Sequence, residues 1–163
     1  MQSIASGAPT FLYAVLDPAQ DARIYPTMRT WAPEAVCLFE KDRIDPRVER
    51  VAPHILPFVP GSLLASWWRD AGLGRHWGIF CRTAADLSTL RHHFRTLLRV
   101  QLPDSRITLF RFYDPRVLRV FLRVCDPVIL RRVFGPVDFF LVENEAGSAF
   151  QRFEMRDGHL DVT

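Results

Sequence analysis

Disulfide frameworks, membrane spans and the common catalytic signatures are all missing from this chain of 163 residues. Its three cysteines, Cys37, Cys81 and Cys125, are odd in number, widely spaced and without a CxxC pair. That pattern argues against a cysteine-stapled scaffold or a zinc site and predicts reduced core thiols. No stretch approaches the ~18 consecutive apolar residues of a membrane helix. The start MQSIASGAPT has neither the basic segment nor the long apolar segment of a secretory leader, so the cytoplasm is the expected location. Walker, GxGxxG, GxSxG and HExxH patterns do not occur, which removes the usual signs of a phosphate cradle, a nucleophile elbow or a zinc helix. Lysine is almost absent: Lys41 is the only one among 21 cationic residues. We read the arginine bias as genomic base composition, although it leaves a surface rich in bidentate hydrogen-bond forks.

What is present describes a folded domain. Apolar residues make up 48% and charged residues 24%, which is enough to bury a core without metals or cross-links. We expect one domain over residues 1–163. The net charge is only +3, with acidic residues spread throughout, a weak basis for nucleic-acid binding despite the basic pI.

Four Asp-Pro pairs, at 17–18, 45–46, 114–115 and 126–127, are candidate helix starts, because aspartate caps free amides and proline at the next position needs no partner for its missing N–H. The runs at 11–17 and 34–40 predict buried strands. Ser62 caps a helix carrying Leu63, Leu64, Trp67, Trp68 and Ala71, closed by Gly72 and Gly74. Residues 76–82 predict a strand. Thr83 and Asp86 resemble a capping box opening a helix with Leu87, Leu90, Phe94, Leu97 and Leu98 on one face and His92, Arg95 and Arg99 on or near the other. A hairpin turning at Pro103, Asp104 and Ser105 leads into RITLFRFYD, read as a central strand covered on both sides. Two helices follow, the second stopping at Gly135-Pro136, and a β-meander over 137–162 ends the pattern, with Asp157-Gly158 as a tight turn. The fold class expected is α+β: one compact domain, a mixed or largely antiparallel sheet with helices packed on it.

RFYDPRVL at 111–118 gathers Arg111, Tyr113, Asp114, Pro115 and Arg116 where that strand meets a helix. Arg111, if buried, needs a carboxylate or several carbonyls. Asp114 is the evident N-cap, and Arg116 opposes the helix dipole, which points to a specific carboxylate partner. No nucleophile sits beside a base and no carboxylates pair, so we read a structural joint rather than a catalytic cluster. His92 and His93 are adjacent and diverge by about 100° on a helix, so they cannot chelate one ion and are read as part of a solvated face. Cys81 and Cys125 lie in apolar contexts unsuited to a nucleophile. The row RHHFRTLLRV lacks exposed interleaved aromatics, which favours a solvated or partner-facing surface over nucleic acid.

The ordered series LYAVLD, RVAPHILPF, Trp67-Trp68, HWGIFCRT, LSTLRHHFRTLLRVQLPDSRITLFRFYDPRVLRVFL and VFGPV, from about Leu12 to Val142, resembles the type VI secretion effector chaperone (adaptor) family. The resemblance implies a cytoplasmic, non-enzymatic protein without cofactor or metal. Its partners would be a cognate toxic effector and the VgrG spike protein, and it would help mount the first on the second, with no role for nucleic acid or membrane. The signature maps onto Arg91, His92 and Arg95 in the helix and onto Arg111, Tyr113, Asp114, Pro115 and Arg116 in the joint. His92-His93-Phe94 stands where arginine-histidine-leucine is common, and the long C-terminal extension of many relatives does not follow the core. Arg91, His92, Arg95, Arg99 and Arg116 are the expected partner-binding residues, with Arg95 and Arg99 set to meet an acidic stretch. Arg111, Tyr113, Asp114 and Pro115 are the expected structural motif. The rival readings are a toxin immunity protein, an enzyme of a toxin cluster and, more remotely, a small nucleic-acid-binding module.

Overall fold

Alternation of side chains on two strands organises the molecule. In the computed structural model, which describes residues 9–39, 44–102 and 104–163, β1 (Phe11–Leu16) and β4 (Gly78–Thr83) pair antiparallel from Phe11↔Thr83 to Leu16↔Gly78. On β1, Tyr13 and Val15 enter one core and Ala14 and Leu16 the other; on β4, Ile79 and Cys81 oppose Phe80 in the same way. Both strands are therefore covered on two sides.

The remaining strands extend this pair into a seven-stranded sheet in the order β2-β3-β1-β4-β7-β8-β9, antiparallel at every pairing. They are β2 (Val36–Cys37), β3 (His54–Pro57), β7 (Val137–Glu143), β8 (Phe150–Arg156) and β9 (His159–Val162). One face is packed by α1 (Ile24–Trp31) and α3 (Leu63–Ala71), through Ile24, Met28, Leu64 and Trp68. The other carries α4 (Leu87–Leu97), α5 (Pro115–Val124) and α6 (Pro127–Phe134), through Leu90, Phe94, Leu118, Leu122, Leu130 and Phe134. A short α2 (Pro46–Glu49) follows β2, and a separate hairpin of β5 (Arg99–Gln101) and β6 (Ile107–Leu109) links α4 to α5. The α+β class and the antiparallel sheet are as expected from sequence.

Most helix starts are also as expected. Asp45, Asp114 and Asp126 each accept a bond from a first-turn amide ahead of a proline, and Ser62 caps α3 by accepting from Ala65 N. Asp17-Pro18 does not start a helix. The chain turns there, with Ala19 N on the Asp17 carboxylate and Gln20 N on the Asp17 carbonyl, and α1 begins only at Ile24; the same carboxylate also accepts from Arg111. The Thr83–Asp86 capping box is also corrected. Asp86 itself caps α4 through Thr89 N, while Thr83 closes β4, its hydroxyl donating to the Pro136 carbonyl at 2.6 Å and accepting from Ala85 N. The strand expected over 34–40 shrinks to Val36–Cys37, since Ala35 N closes a turn on Ala32 O. Glu40, like Lys41 and Pro103, lies outside the described residues.

The largest correction concerns RITLFRFYD, which is no central strand. Pairing stops at Leu109, Phe110 N closes on Leu98 O, and the chain turns at Phe112-Tyr113 with Asp114 N bonded to Arg111 O. The apolar run divides by role. Ile107 is 70% exposed on the hairpin, whereas Phe112 is fully buried with its ring 5.0 Å from that of Phe94. Arg99 consequently sits on β5 and not on the face of α4. The C-terminal meander has its tight turn at Asp157 (φ 49°) and Gly158 (φ 78°), the left-handed pair that joins two-residue hairpins.

Burial separates the two halves of that segment energetically. Phe94→Ala removes a fully buried ring between Phe112 and Phe140 and is expected to cost about 3–5 kcal/mol. Ile107→Ala should stay within about 0.5 kcal/mol of wild type. Denaturant unfolding of the two variants checks the contrast, and equal losses would contradict this division.

Candidate functional site

The joint expected at 111–116 is held by charge. Asp17, 1% exposed at the end of β1, accepts from Arg111 Nη2 at 2.6 Å, from Gln20 Nε2 at 3.0 Å and from Ala19 N at 3.2 Å. These bonds satisfy a carboxylate that would be costly to bury unpaired. Asp114, also buried, accepts from Arg116 N and Nε at 2.9 Å and from Nη2 at 2.8 Å, with Arg111 Nη2 3.8 Å away. Arg116 thus finds its carboxylate on its own chain, two residues back. Burial pushes the Asp114 carboxyl up, but the Arg116 fork, the Arg116 amide and the charge of Arg111 more than offset this and hold it below the usual carboxylate range. The Tyr113 phenol is pushed up to about 12, first by burial and then by the Asp17 charge. Arg111 lies 5.9 Å from the Tyr113 ring centroid.

The Asp114–Arg116 geometry recurs. In Asp21-Ala22-Arg23, Asp45-Pro46-Arg47 and Asp104-Ser105-Arg106 the carboxylate likewise accepts the amide of the residue two ahead while the guanidinium of that residue folds back onto it. Arginine in this spacing is satisfied locally.

On α4 the expected partner-facing residues separate. Arg91 Nε donates to the Cys37 carbonyl at 3.0 Å, tying α4 to β2. His92 is exposed and Arg95 half-buried, and Arg99 is exposed on β5. His93 does not belong to the solvated face. It is half-buried, its Nε2 is 2.9 Å from the Val133 carbonyl, and burial lowers its pKa. The ring fits because Gly135, at φ 50°, has no side chain; a Cβ there would fall 2.3 Å from it.

Outside the joint, Glu143 is buried beside His76, whose Nδ1 is 3.0 Å from Glu143 Oε2, and burial pushes that carboxyl up. Burial pushes the Cys81, Cys37 and Cys125 thiols up, against thiolate formation, and only Cys81 is fully in the core. His54 is buried, which lowers its pKa, and its Nδ1 is 2.9 Å from Ala52 O. An apolar cavity of about 190 Å³ beside α3 is lined by Leu12, Phe58, Trp68, Phe80, Leu141 and Phe150 among others, without a cysteine, histidine or carboxylate. Among the described residues no three His, Cys, Asp or Glu side chains gather as metal ligands, and no helix is long and apolar enough to cross a membrane.

Sequence reasoning asked for a carboxylate near Arg111 but gave that role to no particular residue; Asp17 is 94 positions away, and only topology brings it near. Arg111→Ala leaves a buried carboxylate without its guanidinium. Because Arg111 is itself 41% exposed, the expected loss is about 1–3 kcal/mol, below that of a fully buried pair. The depressed Asp114 pKa contributes stability above the unfolded value near 3.9, lost as pH falls through the folded pKa. Acid unfolding followed by circular dichroism should therefore show a shallower loss below about pH 4 in Asp114→Asn than in wild type. Identical acid limbs would contradict the assignment.

A comparison with known protein families matches residues 12–132 to one described as a domain of unknown function (DUF4123). The matched segment runs from β1 through the joint into α6 and so contains both strands of the central pair and every element named above as a candidate. No curated protein and no solved structure matches the chain. Since the match takes in well over half of its residues, the chain belongs to the DUF4123 family.

Proposed function

We propose that this protein is a cytoplasmic, non-enzymatic adaptor that binds a cognate type VI secretion effector and helps load it on the VgrG spike. The reading rests on the resemblance in LSTLRHHFRTLLRVQLPDSRITLFRFYDPRVLRVFL, which falls wholly inside the matched family segment. The observation that carries it physically is the division of labour among the charges. Burial pushes the three cysteine thiols up and the joint's carboxylates are held by arginines, while arginines of the α4–α6 layer remain exposed. An adaptor needs a rigid scaffold and an exposed surface of that kind, and arginine is favoured where interfaces concentrate their energy. His92, Arg95 and Arg99 remain the residues proposed to face a partner from α4 and the hairpin, whereas Arg91 and Arg116 also hold the scaffold together.

Affinity purification of the tagged protein from its native host, with mass spectrometry of the bound material, tests the reading. A VgrG-type spike recovered together with a large effector is the expected result. An effector without the spike would favour an immunity role or a chaperone that releases its cargo before spike contact, and neither protein, with the secretion genes expressed, would overturn the adaptor.

A further inference from the structure

The positive charge of this protein is concentrated in one layer. Residues 87–134, which form α4, the hairpin, α5 and α6, contain ten arginines and three aspartates. The rest of the chain contains eleven cations and fifteen acids, so the layer carries +7 and everything else −4. All three aspartates of the layer are already engaged: Asp104 by Arg106, Asp114 by Arg116 and Arg111, and Asp126 by the amides of Val128 and Ile129. Arg119 donates to the Glu143 carbonyl and Arg123 approaches the Gln151 side chain and the Phe153 ring, but neither has a carboxylate within ion-pair distance among the described residues. Arg131 and Arg132, exposed on α6, likewise have none.

The same two helices leave aliphatic side chains in water. Val120 is 59% exposed, Val124 75%, Val128 68% and Ile129 41%. On α5 the outward face is Arg116, Arg119 and Arg123 beside Val120 and Val124, one turn apart; the inward face is Leu118 and Leu122. On α6, Val128, Ile129, Arg131 and Arg132 point away from the buried Leu130, Val133 and Phe134. Only Cys125 and Asp126 separate the helices, so the aliphatic residues cluster at one corner, flanked by Arg123, Arg131 and Arg132, which have no carboxylate within ion-pair distance among the described residues. Scattered surface aliphatics need no explanation, but three valines and an isoleucine at one corner of a strongly positive layer do.

We infer that the α5–α6 corner is the docking surface for an acidic amphipathic helix of a protein partner. Apolar residues of such a helix at i, i+3 or i+4, and i+7 would cover the valines, and flanking Asp and Glu would take bidentate bonds from Arg123, Arg131 and Arg132. Nucleic acid suits the arginines but not the aliphatic cluster, because the exposed apolar residues here are β-branched and offer bases no ring to stack on. A lipid surface is disfavoured because the corner lacks the Trp, Phe or Leu side chains that anchor interfacial helices. This inference deepens the adaptor reading and rests on it for the existence of a protein partner. The corner commits to the partner's chemistry, not to whether that partner is effector or spike.

The test uses the full chain in its native host, carrying a photoreactive benzophenone amino acid at Val124 or Val128, or at Leu63 on the opposite layer as a control of comparable exposure (68%). Irradiation and mass spectrometry identify the cross-linked segment. The corner positions should capture a segment with excess Asp and Glu and apolar residues at helical spacing, at least tenfold more than Leu63 does. Arg123→Glu/Arg132→Glu should reduce that capture at least tenfold with an unchanged melting temperature, whereas Arg69→Glu/Arg75→Glu should leave it intact. If the reversed protein does not fold, Arg123→Gln/Arg132→Gln replaces it with the same expectation. Capture of nucleic acid, lipid, a second copy of this chain, a basic or extended segment, or nothing would overturn the inference. An effector and spike that still co-purify with the reversed variant would sink the corner while leaving the adaptor standing. An acidic helix captured from some other protein would do the opposite.

Discussion

Everything in this molecule follows from having β1 and β4 buried on both faces. Two adjacent strands whose successive side chains enter opposite cores need two separate covers, and the chain supplies them from different places. The first cover, α1 and α3, comes from connections within the N-terminal part of the sheet; the second, α4 to α6, lies wholly between β4 and β7. The Asp17–Arg111 bond joins the two, since Asp17 ends a central strand while Arg111 leads into the second cover. Registering the layers in this way uses one partly exposed guanidinium and one buried carboxylate, a contact whose value lies as much in fixing an arrangement as in net stability.

Local rules were legible in the sequence because their causes lie within a few residues. Asp-Pro at 45, 114 and 126 gave helix starts, Ser62 gave a cap, and the leucine and phenylalanine spacing of α4 gave its buried face. Asp17-Pro18 carries the same signal and misleads: its carboxylate accepts from Ala19 N as a cap would, but it closes only a turn and also holds a guanidinium 94 positions away. RITLFRFYD misleads for a related reason: period-two apolarity does not reveal that a run is cut in two, half displayed on a hairpin and half folded into the core. The pocket for His93 needs both a glycine at 135 and the approach of α6, and nothing in RHHF announces either. At the candidate site, the Asp-x-Arg pairs could have been found from spacing alone, and they explain why several arginines are silent. The unmatched ones emerge only after that subtraction.

Seen in this way, the surplus of arginine sorts by geometry. Where an aspartate stands two positions earlier, the guanidinium folds onto it and serves the turn. Arg123, Arg131 and Arg132, with no aspartate two positions earlier, have no carboxylate within ion-pair distance among the described residues. Composition bias supplied the residue type, and the backbone decided which copies are held by a carboxylate of the same turn.

The placement of the whole second cover between two hydrogen-bonded neighbours bears on how the chain is made. β4 and β7 pair at Thr83↔Val137 and Phe80↔Leu141, so no ladder between them can close until α4, the hairpin, α5 and α6 have left the ribosome. Closure entropy rises only slowly with loop length, by about 0.6 kcal/mol per doubling, and helices that form early shorten the gap further. The delay is therefore set by elongation. Throughout it β4 presents an unpaired edge beside Phe80 and Cys81, the sort of edge that recruits foreign strands. Slower synthesis of the arginine-rich stretch prolongs that exposure.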